Sequence, residues 1–221
     1  MDVEHARFNM IEQQIRPWDV LDPTVLQALG RLKREDFVPS QHRVLAFVDT
    51  RIPLRDGADA GACMLEPRVE ARLAQELRLR DSDRVLEIGT GSGYMAALLA
   101  LLAADVTTLE IDAGQALTAE KNLCAAGITH ARVVHADGSG GWPARAPYDA
   151  IVLSGSVAEV PAALLDQLKP GGRLLAIVGQ LPIMRARLYT RSAQGAFAHE
   201  DLFDTVAPRL KGFAEPSHFR F

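Results

Sequence analysis

The chain has 221 residues, a net charge of −4, and 48% hydrophobic against 24% charged residues. With 17 glycines and only 2 cysteines, that composition fits a soluble globular protein and excludes global disorder, a collagen-like repeat and a disulfide scaffold. The acidic balance gives no domain-wide basic face for nucleic acid.

The N-terminal segment lacks the apolar core of a signal peptide, and the longest apolar stretch, residues 95–104, is too short to cross a bilayer. Cys63 and Cys124 have no CxxC spacing, and the histidines show no metal-ligand spacing. The expectation is a cytoplasmic protein with reduced thiols, no metal, no nucleic acid and no membrane partner.

The predicted elements begin with helices. Val3, Met10, Ile11 and Ile15 share a face, and Pro17 stops the run. Asp22 then caps a second helix, with Pro23 at its first position and Val25, Leu26, Leu29 and Leu32 as its apolar stripe. Residues 45–63 look irregular, and Asp56, Gly57, Asp59 and Gly61 mark a loop suited to lie over a site. Val69, Leu73 and Leu77 carry the next helix. A short buried strand over 84–88 leads through GTGSG into a helix over 92–102. Strand 106–111, helix 113–126 ending at Gly127, strand 131–135 and strand 148–153 follow. Helix 161–168 turns through KPGG into strand 173–178, and 184–189 and 202–206 read as two last strands. Strands alternating with helices predict an α/β fold: a doubly wound, mainly parallel seven-stranded sheet with an N-terminal helical extension.

The segment Glu87-Ile88-Gly89-Thr90-Gly91-Ser92-Gly93 leaves a strand and enters a helix. Glycines there let the backbone turn tightly and approach a ligand without a Cβ in the way, and a helix start offers free N–H groups. Glu110, with Ile111 beside it, ends the second strand, where a carboxylate accepts hydrogen bonds from both ribose hydroxyls. Asp137 and Gly138 follow the third strand beside the same crevice.

Two cofactors compete for this arrangement. Residues 91–96, GSGYMA, satisfy the dinucleotide pattern GxGxxA with Glu110 as its acid, which suits NAD. S-adenosylmethionine ends in an amino acid instead of a pyrophosphate. Glu87, ahead of the first glycine, suits its ammonium, and Asp137 suits the adenine amino group. No Tyr-x-x-x-Lys is present to serve hydride transfer, so the residues favour S-adenosylmethionine. The chain then reads as one domain, 1–221, with 1–65 a lead-in and loop covering the site and 66–221 the cofactor-binding body.

EIGTGSGY with VTTLEID resembles motif I and its acid in class I methyltransferases. The stretch ADGSGGWPARAPYDAIVLSGSVAEVPAALLDQLKPGGRLLAIVG is more specific. It resembles the protein-L-isoaspartate (D-aspartate) O-methyltransferase family, whose members carry GDG…GW…PYD…PxxLxxQLKPGGRL. MIEQQIR, VLQALGRLKREDFVP and AFVDTRIPL resemble that family's helical lead-in, so the likeness covers nearly the whole chain. It implies an S-adenosylmethionine-dependent enzyme of protein repair, acting on an isoaspartyl carboxylate in a damaged protein or peptide. It also implies that Gly89, Thr90, Gly91, Ser92 and Gly93 wrap the methionine end of the cofactor. Glu110 would hold the ribose and Asp137 and Gly138 would border the adenine. The end of the fourth strand, Ser154 included, would lie beside the transferred methyl.

One departure stands out. The family's TISAPHM is CMLEPRV here, over residues 63–69. Leu65 occupies the place of the family's active-site serine and Arg68 that of its histidine. Leucine donates no hydrogen bond. Arg68, whose guanidinium matches a carboxylate, and Ser154 are the candidate replacements. Two alternatives stand beside the isoaspartyl reading: a paralogue methylating another acceptor, and a cofactor-binding module without isoaspartyl activity. A carboxylate is already ionised near neutral pH, so catalysis by positioning needs no acid–base dyad.

Overall fold

The computed structural model describes residues 2–55 and 61–215; the expected turn formers Asp56, Gly57 and Asp59 lie outside the described residues. Helix α1 (Val3–Met10) is capped by Asp2, which accepts from the His5 N–H. It runs into a π-helical turn at Ile11–Ile15 and a 3-10 turn at Arg16–Trp18. Asp22 caps α2 (Pro23–Arg31) by accepting from the Thr24 and Val25 N–H groups, with Pro23 at the first helical position as its lack of an N–H favours. A two-residue antiparallel ladder joins β1 (Ile52–Pro53) to β2 (Cys63–Met64), and α3 (Pro67–Glu76) follows.

The body alternates β3 (Arg84–Ile88), α4 (Tyr94–Ala100), β4 (Asp105–Glu110), α5 (Ala113–Ala125) and β5 (Ala131–His135). It continues through β6 (Tyr148–Val157), α6 (Ala162–Leu165), β7 (Leu168–Gln180), β8 (Ile183–Arg191) and β9 (Phe197–Asp204). These strands form one seven-stranded sheet in the order β5-β4-β3-β6-β7-β8-β9. The pairs from β5 to β7 are parallel, and β8 and β9 add antiparallel partners at one edge.

Both faces of the central strands are buried, and the side chains alternate between two cores. Val85, Ala150, Val152, Leu175 and Ile177 face one core, and Leu86, Ile151, Leu153, Leu174 and Ala176 face the other. The first core continues into the lead-in through Met10, Ile15, Leu29 and Phe37. Within it Arg34 is fully buried and ion-paired to Glu70 of α3. Among the described residues no helix is long and apolar enough to cross a membrane.

Several elements differ from expectation, and β6, expected over 148–153, runs on to Val157. The helix expected over 161–168 shortens to Ala162–Leu165, because Leu168 already pairs with Tyr148. The KPGG expected as a turn is therefore absorbed into β7, across a register shift between Tyr148 and Ala150. Strand β9 starts at Phe197 rather than 202, since its exposed, polar first half carries no hydrophobic alternation.

After β9 the chain turns back across the sheet's rim. The Pro208 carbonyl accepts from the Ser156 N–H at 2.7 Å, and the Leu210 N–H donates to the Ser156 carbonyl at 2.9 Å. This isolated parallel bridge lays residues 207–211 against the carboxyl end of β6. The strand order reverses at β3, and a crevice opens there between β4 and β6.

Candidate active site

The loop from β3 to α4 fills that crevice. Gly89, Gly91 and Gly93 have φ of +93°, +53° and +86°, a region that side chains with a Cβ rarely adopt. A Cβ on Gly89 would stand 2.7 Å from Leu210 Cδ2, so the loop and the returning tail meet at van der Waals contact. Gly138 lies equally close to β3, where a Cβ would stand 2.5 Å from Ile88 Cγ2.

Two carboxylates flank the loop. Glu110, at the end of β4, accepts from the Gly91 N–H at 2.9 Å and from the Asp112 N–H at 3.0 Å, one bond per oxygen. It pins the middle glycine and leaves lone pairs on both oxygens for a ligand. Gln115 Nε2 donates to the Gly91 carbonyl at 3.0 Å, and Asn122 Nδ2 to the Ser92 carbonyl at 2.9 Å, so α5 holds the loop from the other side.

Glu87 is completely buried at the end of β3. Thr108 Oγ1 donates to Glu87 Oε2 at 2.7 Å, and Ser154 Oγ donates to Oε1 at 2.6 Å. The Thr90 hydroxyl lies 2.6 Å from that of Thr108 and completes the chain of hydroxyls. Burial pushes the Glu87 carboxyl up to about 8, and the two donated hydrogen bonds oppose this only in part.

The cavity at this crevice is lined by Gly89, Gly91, Glu110, Ile111, Gly138 and Ser154, all singled out by sequence. Leu65, Glu87, Thr90 and Ser92 line an adjoining cleft, which shares Gly89, Gly91 and Ser154 with the cavity. Gly93 and Asp137 line neither. Gly93 is the residue before α4 and packs on Ala119 of α5. Asp137 accepts from the Ser139 N–H at 2.9 Å in its own turn.

Leu65 is buried, and its carbonyl accepts from Arg34 Nη2 at 2.8 Å. Arg68 lines neither cavity. It pairs with Asp49 at 2.9 Å and lies over the Trp18 ring, 4.1 Å from its centroid.

Sequence reasoning missed Thr108, Gln115, Cys63 and the tail residues Arg209, Leu210 and Lys211, which line the cavity or brace its loop. Thr108 had a signal, a threonine pair between the apolar Val106 and Leu109. The tail residues had none, because only the pairing with Ser156 brings them there.

The family model for protein-L-isoaspartate(D-aspartate) O-methyltransferase matches residues 5–206. A protein-L-isoaspartate O-methyltransferase of Rhodopseudomonas palustris is 43% identical over 205 residues, covering 92% of each chain. A solved protein-L-isoaspartate O-methyltransferase superposes with a TM-score of 0.82 at 25% identity, over 93% of this chain and 66% of that one. A Plasmodium falciparum structure in complex with S-adenosyl-L-homocysteine shares the fold, with a TM-score of 0.77 at 18% identity, over 95% of this chain and 99% of that one. The likeness runs through the lead-in, the glycine loop and the sheet alike, and the chain belongs to the protein-L-isoaspartate(D-aspartate) O-methyltransferase family.

Proposed function

We propose that the chain is an S-adenosylmethionine-dependent methyltransferase that esterifies the carboxylate of an isoaspartyl residue in damaged protein, a step of protein repair. The observation that carries the reading is the pairing of two carboxylates, Glu87 and Glu110, with a glycine loop at the strand-order switch point, in a chain similar to these enzymes along nearly its full length. The donor set fits the cofactor. Glu87 offers a buried carboxyl to an ammonium, Glu110 keeps lone pairs for a ribose diol, and the close approach of Gly138 to Ile88 leaves the loop after β5 bare beside the adenine position. Cofactor-holding roles thus fall to Glu87, Gly89, Thr90, Gly91, Ser92, Glu110, Ile111 and Gly138, while Gly93 and Asp137 shape the loops on either side.

When bound, the cofactor supplies an electrophilic methyl group on a sulfonium, which a carboxylate takes up without any proton changing hands. The chain's own work is orientation. Ser154 and Thr108 hold the Glu87 carboxyl in one rotamer, and Glu110 fixes the loop that shapes the cavity. Leu54, Arg55 and Cys63 of the lead-in line the cavity, which supports residues 1–65 as a cover over a single methyltransferase domain. The free thiols of Cys63 and Cys124 support a cytoplasmic setting.

A second acceptor class is favoured by one observation: Leu65 presents no hydroxyl in the cleft beside Glu87 and Ser154. One assay separates the two. Labelled S-adenosylmethionine is incubated with an isoaspartyl peptide and with its aspartyl twin. A base-labile methyl ester on the isoaspartyl peptide alone is expected; equal labelling of both at background overturns the isoaspartyl reading.

A further inference from the structure

A second cavity, of about 500 Å³, opens on the far side of the returning tail. It shares two lining residues with the cofactor cavity, Gly61 and Arg209, so the two spaces adjoin there. Leu181, Met184 and Pro208 give it apolar walls, and among the described residues Arg51 and Arg209 are the arginines that line it. The sequence singled out Arg68 to replace the lost serine, yet Arg68 is engaged with Asp49 and Trp18, away from both cavities. Arg209 stands at the border instead, and Arg51 lines the second cavity.

Resting on the methyltransferase reading above, we propose that this second cavity receives the methyl acceptor, and that Arg51 and Arg209 recognise the carboxylate to be esterified. Three features argue for it. An acceptor must reach the methyl group from outside the cofactor cavity, and the shared wall at Gly61 and Arg209 is where the two spaces adjoin. A guanidinium presents forked donors that match a carboxylate, a task the leucine at position 65 leaves open. Finally, Arg209 already holds a carboxylate. Its Nε lies 3.0 Å from Glu215 Oε1, and Glu215 lines the same cavity with half its side chain exposed. Glu215 stands where the acceptor's carboxylate binds and gives way to it. Arg51 is held more loosely, 3.4 Å from Glu66, and 43% of its side chain is exposed. Arg209 is steadied by the tail bridge and by Nη1, 3.4 Å from the Ser156 hydroxyl. The apolar walls suit the residues flanking the isoaspartyl position in a peptide.

The test compares the unmodified protein with Arg51→Gln, Arg209→Gln and Glu215→Gln in two assays. One is steady-state methylation of an isoaspartyl peptide. The other is anisotropy of the same peptide, fluorescein-labelled, on protein saturated with S-adenosylhomocysteine. Losing one charge-assisted hydrogen bond weakens peptide binding and raises KM by about tenfold or more in each arginine variant, with the larger change in KM than in kcat. Glu215→Gln lowers KM by about twofold, since an exposed competitor is removed. Arg51 does not line the cofactor cavity, so binding of S-adenosylhomocysteine by Arg51→Gln reports that the variant is folded. Methylation with unchanged KM in both arginine variants overturns the proposal and leaves the methyltransferase reading standing. Arginine-dependent binding without methylation supports the cavity and overturns the isoaspartyl reading. Neither binding nor methylation overturns both.

Discussion

Ser154 on β6 donates a 2.6 Å hydrogen bond to Glu87 on β3, and that bond ties the strand end beside the cavity to the one fully buried acid of the glycine loop. With Thr108 on the other oxygen, Glu87 is held by two hydroxyl donors and, among the described residues, no cation. A carboxyl so placed keeps its proton near neutral pH, with its value raised from 4.5 to about 8. An acid raised on folding contributes its full stability below the unfolded value, and loses it as pH climbs through the folded one. Glu87→Gln, neutral at every pH, is therefore expected to gain on the parent between about pH 4.5 and about pH 8. The gain is at most about 1.4 kcal/mol per pH unit, and thermal unfolding across that range measures it.

The same group sets a proton count on cofactor binding. An ammonium arriving at Glu87 favours the ionised carboxylate, so binding of S-adenosylhomocysteine at pH 7 is expected to release a proton. Calorimetry in buffers of different ionisation enthalpy reads it directly, and Glu87→Gln abolishes the buffer dependence.

Glu110 is expected to act through the loop as well as on the ligand. Glu110→Ala frees the Gly91 and Asp112 N–H groups and removes the ribose acceptor. Affinity for S-adenosylhomocysteine is expected to fall by about tenfold to a hundredfold. Glu110→Gln keeps one acceptor oxygen and falls between, by the same calorimetric measurement.

The buried pair Arg34–Glu70 is expected to dominate the stability of the lead-in. Arg34 also donates to the Leu65 carbonyl and lies 4.6 Å from the centroid of the Tyr94 ring, so it ties α3 and α4 to the segment before the cavity. Removing one partner strands a buried charge, which costs about 3–5 kcal/mol. Arg34→Met and Glu70→Met each show that loss in urea unfolding, and the double variant recovers most of it.

Arg68→Ala is expected to leave KM for an isoaspartyl peptide within about twofold, and to cost about 1 kcal/mol from the Trp18 and Asp49 contacts. Kinetics and unfolding of one preparation check both.

The sheet was legible because its strands are buried on both faces. RVLEI and YDAIVL are mostly apolar, and the alternation between two cores needs no polar face to announce it. Gly89, Glu87 and Glu110 were legible because strand end, turn and helix start lie next to one another in the chain. The parts missed depend on residues far apart. Thr108 meets Glu87 only across paired strands, and Arg209 reaches the cavity only through Ser156. No local periodicity encodes either contact. The first half of β9 was lost for another reason: an exposed edge strand can be polar throughout its first residues.

The bridge between Ser156 and Arg209 also orders events during synthesis. Among the described residues, 209–211 are the last of the cavity lining to leave the ribosome, long after the glycine loop and both acids have emerged. A nascent chain stalled after β9 holds the loop and the whole sheet, yet one wall of its cofactor cavity is missing. Retention of cofactor therefore depends on the returning tail being seated against Ser156.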